Sequence, residues 1–384
     1  MGNLTPWKQG GRYKKIFLKG EIIMRKLALL LGSLLVVASA SAKEVVPAPV
    51  VVEEAPVQVI EKEVIVYRDK EEGFRPNGYV DLQYRWYGDT EGKNEGSWNG
   101  GANNYSRTQL QGKINMTEKQ ALEYRIRNYN DLNSSSAKDE DGVSTRNSGA
   151  DVRLRYFYNH GNLGDSKVNF TSRIHYRDRD DLSGAQEVEY QARFNFAEYM
   201  FNNDFVKTTN FVVAPKYKYV WENGNDDDYD NRLGFDIASM HELPYGFSFE
   251  LNFYVDQHFY GKDQKFDGGR KEKDKNFTVD MEAYLYNTTN LYTNGNVTVD
   301  FNFEGGYDAY KWSQEKKYGT DKDENAQYEL YALPTIQINY QATPNFKVYA
   351  AAGAEYRDWD IKGNSEASHW RWQPTVFAGF RTAF

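Results

Sequence analysis

Trp370-Arg371-Trp372-Gln373-Pro374-Thr375-Val376-Phe377-Ala378-Gly379-Phe380-Arg381-Thr382-Ala383-Phe384 is the stretch whose reading decides the fold. Side chains of an extended strand alternate between its two faces. Counting back by twos from Phe384 puts Thr382, Phe380, Ala378, Val376, Pro374, Trp372 and Trp370 on one face, with Arg381, Gly379, Thr375, Gln373 and Arg371 on the other. An apolar face flanked by tryptophan and backed by a polar face is how a strand of a transmembrane β-barrel reads. An ordinary soluble strand could alternate in the same way, so the rest of the chain has to decide.

Composition narrows the choice. The chain has 384 residues, of which 16% are aromatic and 30 are tyrosine. Its mean hydropathy is well below zero, too polar for a helical membrane protein, while its aromatic content is unusual for a soluble one. A barrel reconciles the two, because only alternate residues face lipid while lumen and loops stay wet. Cysteine is absent, which excludes a disulfide scaffold, thiolate metal sites and a lipidated cysteine anchor. Residues 1–42 hold seven basic residues and one acidic, leaving 40 basic against 54 acidic in the remainder, a net −14 that argues against a nucleic-acid partner.

From Tyr79 onward, period-two segments recur without a convincing helix, and they predict an all-β, antiparallel, up-and-down transmembrane barrel of about 14 strands. The first sets Val80, Leu82, Tyr84 and Trp86 outward against Asp81, Gln83 and Arg85 inward. Thirteen more fall near residues 105–116, 121–129, 150–159, 167–177, 186–196, 209–221, 231–240, 247–259, 276–286, 296–308, 327–340, 346–358 and 368–384. In the ninth, Phe247, Phe249, Leu251, Phe253 and Val255 point out while Ser248, Glu250, Asn252, Tyr254 and Asp256 point in, and a one-residue slip would put the charges into lipid.

Connection lengths alternate as well. Short connections at 117–120, 161–166, 241–246 and 341–345 fit periplasmic turns, while polar stretches at 88–104, 131–149, 260–275 and 310–325, with shorter ones at 178–185, 222–230 and 359–367, fit extracellular loops. A soluble sandwich has no reason to alternate in this way. With both barrel ends on the periplasmic side, Phe384, Phe380 and Trp372 form the expected assembly signal, read by the barrel assembly machinery.

The N-terminal region reads separately. Met24-Arg25-Lys26, the apolar run 27–37 and Ala40-Ser41-Ala42 have the layout of a secretory signal peptide over 24–42, cleaved before Lys43. Residues 1–23 read as sequence upstream of the true start at Met24. Residues 43–76, rich in Pro, Val and Glu, read as a periplasmic linker, which leaves 77–384 for the barrel.

Several motifs carry a resemblance. Ser41-Ala42-Lys43-Glu44-Val45, Val64-Ile65-Val66-Tyr67-Arg68-Asp69, Arg75-Pro76-Asn77-Gly78, Gln83-Tyr84-Arg85-Trp86-Tyr87-Gly88 and Tyr217-Lys218-Tyr219-Val220-Trp221 resemble the fusobacterial major outer-membrane porin family, the FomA-like proteins. So do Glu304-Gly305-Gly306-Tyr307-Asp308, Tyr328-Glu329-Leu330-Tyr331, Val348-Tyr349-Ala350-Ala351-Ala352-Gly353 and Trp370-Arg371-Trp372-Gln373-Pro374. The resemblance spans Met24 to Phe384. It implies an abundant, trimeric, voltage-sensitive general-diffusion porin of the outer membrane, with adhesion in some members. One departure is that the third long loop, often the constricting one in general porins, is only about Asp178–Ala185.

Sites for other chemistry are weak. The histidines His160, His175, His241, His258 and His369 are scattered, without metal or catalytic spacing, and no nucleophile elbow is present. The acidic stretches Asp139-Glu140-Asp141-Gly142, Asp226-Asp227-Asp228-Tyr229-Asp230 and Asp321-Lys322-Asp323-Glu324 lack full calcium-loop spacing and read as solvated loop charge, with divalent bridging to lipopolysaccharide as the alternative. Trp86, Trp221, Trp359, Trp370 and Trp372 sit near strand ends, where interfacial girdles form. No enzyme activity and no cofactor are expected.

Inward-facing charge is the most informative chemistry. Strands two to seven present Arg107, Lys113, Arg125, Arg127, Arg153, Arg155, Lys167, Arg173, Arg177, Arg193, Lys216 and Lys218 against Glu123, Asp151 and Glu189. Strands nine to twelve present Glu250, Asp256, Asp280, Glu282, Asp300, Glu304 and Glu329, with no Lys or Arg expected on that face. In a ring of fourteen these arcs oppose each other, which suggests a weakly selective water-filled pore with a transverse field and a residual cation bias at low salt. The alternative is a surface adhesin or receptor barrel whose loops bind host or bacterial partners.

Overall fold

Period-two alternation fixes which side of each strand is apolar, and only a closed ring satisfies every strand edge in lipid. The computed structural model describes residues 73–91, 104–131, 149–179, 184–222, 228–318, 324–358 and 370–384. The signal segment, residues 43–72 of the linker, Asp139-Glu140-Asp141-Gly142, Trp359 and His369 lie outside the described residues.

The strands are β1 (Asn77–Tyr87), β2 (Tyr105–Asn115), β3 (Gln120–Asp131), β4 (Gly149–Asn162), β5 (Asn169–Arg179), β6 (Ala185–Asn195), β7 (Lys207–Glu222), β8 (Tyr229–Glu242), β9 (Phe247–Phe266), β10 (Lys271–Asn294), β11 (Val297–Ser313), β12 (Ala326–Thr343), β13 (Phe346–Asp358) and β14 (Trp370–Ala383). Each pairs antiparallel with its sequence neighbours, and β1 pairs β14 from Tyr79↔Ala383 to Tyr87↔Thr375. The result is a closed 14-strand up-and-down barrel, as the alternation predicts.

Its hydrophobicity is inside out. Exposed side chains include Ile126, Leu154, Ile174, Val188, Tyr190, Leu233, Ile336, Ile338 and Val376, while the buried set is dominated by polar residues such as Asp151, Glu189, Gln191, Asp236 and Gln373. In β14, Trp370, Trp372 and Val376 are exposed whereas Arg371, Gln373, Thr375 and Phe377 are buried, so the register read back from Phe384 is the one observed. Trp86, Trp370 and Trp372 stand exposed at the long-loop end, and Phe247 and Phe384 at the short-turn end, an aromatic rim at each boundary of the apolar band.

Two departures from the expected strand limits matter. The stretch 260–275, expected as a loop, is mostly strand: β9 and β10 continue as a hairpin whose tip turns through Asp267, Gly268 and Gly269, all at positive φ. Its charged composition resembles a loop because that part of the hairpin stands beyond the span, for which about 9–11 residues suffice. The second is a bulge in β11, where Tyr307 pairs Leu330 but Ala309 pairs Glu329, one extra residue that reverses inside and outside beyond it. Gly306 precedes it at φ 137, and a Cβ there would meet the Ala283 carbonyl oxygen at 2.0 Å.

Candidate functional site

The barrel interior gathers the charged residues, and strand order decides who faces whom. Strands β2 to β7 form one arc and β9 to β12 the opposite one. Arg85 on β1 and Glu304 on β11 lie on the same cavity of about 230 Å³, lined also by Tyr286, Asn302, Gln337 and Phe377.

The arcs differ in how their charges are satisfied. On the basic side, Asp151, almost fully buried, accepts from Arg177 Nε at 2.8 Å and from Arg125 at 3.1 Å. Glu189 takes Arg173 at 2.5 Å and Lys218 at 3.2 Å, and Lys113 lies 3.4 Å from Glu123. Arg107, Arg127, Arg153, Arg155 and Arg193 have no carboxylate within ion-pair distance among the described residues. Arg127 donates to Gln109 at 2.7 Å and Arg193 to Gln191 at 2.6 Å, while the Nε of Arg155 is buried without a hydrogen-bond partner.

The acidic side is capped by tyrosine hydroxyls. Tyr254 donates to Glu282 at 2.7 Å, Tyr286 to Glu250 at 2.8 Å, and Tyr331 to Glu304. Asp300 accepts from Asn290 at 2.8 Å and Asn339 at 2.7 Å. Glu329 pairs at 2.9 Å with Arg357, which also holds Asp308 at 2.9 Å and Glu355 at 2.7 Å. Asp280 lies directly opposite Lys311. The expectation of no Lys or Arg on this face is therefore corrected, because the β11 bulge turns Lys311 inward.

Between the arcs the charges neutralise one another. Lys216 is buried between Asp236 at 2.6 Å and Asp256 at 2.9 Å, so this part of both expected walls is a closed cluster.

At the long-loop end, residues 314–318 between β11 and β12 fold against the inner side of the β9–β10 hairpin. Asn276, buried, donates to Ser313 Oγ at 2.8 Å and accepts from the Glu315 backbone N–H at 3.1 Å. The Asp267 N–H donates to the Lys316 carbonyl at 2.9 Å. Lys317 thus sits beside Asp230, Arg232 and Asp280, where burial, with Arg232 adding repulsion, holds its ammonium below the ordinary range. Where β5 ends and β6 begins, the Gly184 N–H donates to the Arg179 carbonyl at 2.9 Å.

Among the described residues the histidines pack and hydrogen-bond. His258 bonds Asp230 and Thr278, both at 2.8 Å, His241 bonds Thr208 at 3.0 Å, and His160 stacks on Phe170 with centroids 4.3 Å apart. Of the acidic loop residues within the described set, Asp228 pairs with Lys262 at 2.6 Å and Asp230 with Arg232 at 2.7 Å. Sequence reasoning missed Arg357, the tyrosine caps and Phe377, over which Arg85 lies at 4.2 Å from the ring centroid. Phe377 could have been found by parity, since it shares the inward register of Thr375 and Gly379. The expected assembly residues lie on the closing strand: Phe384 is exposed at its end, Phe380 packs on Phe346 with centroids 5.7 Å apart, and Trp372 on Tyr356 at 4.8 Å.

No family model and no curated protein matches the chain. Solved structures do align over most of it. A structure titled bacterial polysaccharide outer membrane secretin is 12% identical, covering 80% of this chain and 97% of its own, with a TM-score of 0.38. OmpT of Vibrio cholerae, in a trimer form, is 10% identical over 81% and 99% of the two chains at 0.32. OmpF of Salmonella typhi, in complex with daunomycin, is 10% identical over 80% and 97% at 0.33.

Proposed function

We propose that this chain is an outer-membrane porin, a passive, weakly selective channel for small hydrophilic solutes and ions, without catalysis or cofactor. One observation carries the reading: Arg107, Arg127, Arg153, Arg155 and Arg193 face the interior without a carboxylate partner among the described residues. A guanidinium left unpaired in a dry interior costs several kcal/mol. Five on one arc are tolerable only where water reaches them, so the lumen is hydrated. The tyrosine-capped carboxylates across it keep the two signs apart, and a field crosses the path of a solute.

In this reading the short-turn end faces the periplasm and the segment 314–318 narrows the outer mouth. Lipid and lipopolysaccharide surround the apolar band, the subunits form a homotrimer, and the barrel assembly machinery engages the closing strand with Phe384, Phe380 and Trp372. The segments 24–42 and 43–76 act as cleaved signal and periplasmic linker, and 1–23 as upstream sequence. The test is single-channel recording of refolded protein in planar bilayers. Stepwise ohmic conductance increments are expected, and a folded barrel that never conducts overturns the proposal.

A further inference from the structure

Three arginines stand in one cross-strand row. Arg125 on β3 is directly opposite Arg153 on β4, which is directly opposite Arg177 on β5. Such partners sit about 4.5–5.5 Å apart at their Cα atoms, and like charges directly opposite are unfavourable. A fold that only needed neutrality would interleave acids here. One is present: Asp151, two residues from Arg153 on the same face, accepts from Arg177 at 2.8 and 3.1 Å and from Arg125 at 3.1 Å. It draws the two outer guanidinia toward itself and leaves the middle one without a carboxylate among the described residues. Glu187 on β6 stands directly opposite Arg177, Arg127 opposite Asp151 and Arg155 opposite Glu123. Among the described residues this patch of wall therefore holds five cations (Arg125, Arg127, Arg153, Arg155, Arg177) and three anions (Asp151, Glu123, Glu187), a net +2. Arg155, two residues further along β4, opposes Glu123 and His175 in register and forms no ion pair among the described residues.

We propose that the Arg125, Arg153 and Arg177 row is a lumenal binding site for small doubly charged oxyanions, phosphate or a short dicarboxylate, with Arg153 as its central donor. This rests on the porin reading and deepens it by naming the solute class the lumen selects. The charge of the site matches a dianion. The spacing of adjacent guanidinia suits one phosphate bridged by two forks, or two carboxylates each meeting its own, the planar bidentate geometry in which Arg excels. On the opposite wall Glu250, Glu282 and Glu304 each accept one hydrogen bond from a tyrosine hydroxyl.

The test uses the refolded full-length protein in planar bilayers, with chloride carrying the current and inorganic phosphate at pH 8 or succinate at pH 7 added as blocker. Millimolar blocker should reduce the wild-type single-channel current. Arg153→Gln should still form open channels with unchanged strand content while raising the half-blocking concentration about tenfold relative to its own unblocked current, the loss of one charge-assisted interaction. Arg153→Lys should fall between, keeping the charge but losing the fork. Arg270→Gln, at the exposed hairpin tip, should block like wild type. Block by phosphate alone, by succinate alone or by both supports the site and tells phosphoryl from carboxylate ligands. Conducting channels that neither anion blocks, or whose block Arg153→Gln leaves unchanged, overturn the site alone. A folded barrel that conducts nothing overturns the porin reading beneath it.

Discussion

Gly78 and Phe384 exchange two backbone hydrogen bonds, Gly78 N–H to the Phe384 carbonyl at 3.0 Å and Phe384 N–H to the Gly78 carbonyl at 3.1 Å. The seam between first and last strands is therefore laddered up to residue 384, and the Phe384 side chain remains exposed on the lipid side. A ring closed in this way has no edge from which to unzip. In detergent the protein should migrate compactly before boiling and more slowly after it, with a β-type circular-dichroism spectrum. Phe384→Asp, or removal of Phe384, should sharply lower the amount reaching the outer membrane, and normal amounts would contradict the role given to the closing strand.

Lys216 should be the most costly of the basic residues to lose. Lys216→Met leaves Asp236 and Asp256 buried without their cation, and breaking a buried pair costs about 3–5 kcal/mol. Denaturant unfolding in detergent should show the midpoint fall, whereas Arg153→Gln, which relieves like-charge crowding, should leave it nearly unchanged.

Gly306→Ala should destabilise the barrel by about 1–3 kcal/mol, because alanine resists the positive φ that the β11 bulge requires. Thermal melting followed by circular dichroism is the measurement, and an unchanged midpoint would show that the bulge does not depend on this glycine.

Asn276→Ala removes the hydrogen bonds that Asn276 makes to Ser313 and to the Glu315 backbone N–H, leaving the Lys271–Glu315 pair and the backbone bonds to hold the segment against the hairpin. If that segment narrows the mouth, single-channel conductance should rise, and an unchanged conductance would remove it from the path.

The strands were legible because lipid on one side and water on the other impose a period of two, so parity alone assigns a face to each residue of β1, β9 and β14. The stretch 260–275 was not legible, because a hairpin that stands clear of the bilayer is as polar as a loop. Lys311 was hidden for another reason: one extra residue at the β11 bulge reverses parity and has no signature beyond Gly305-Gly306. Parity also names a face without naming a partner. The Asp151 bridge, the tyrosine caps and the threefold pairing of Arg357 depend on register between strands, which the sequence of one strand does not contain.

The central claim is that opposed charged walls line a conducting lumen, and the most direct measurement is the salt-gradient reversal potential in planar bilayers. Neutralising Glu282, Asp300 and Glu304 together should shift it toward anions, and neutralising Arg125, Arg127 and Arg155 toward cations, with both shifts shrinking at high salt as screening shortens. If neither triple substitution moves the reversal potential of a conducting barrel, those side chains do not face the permeating ions and the account is contradicted.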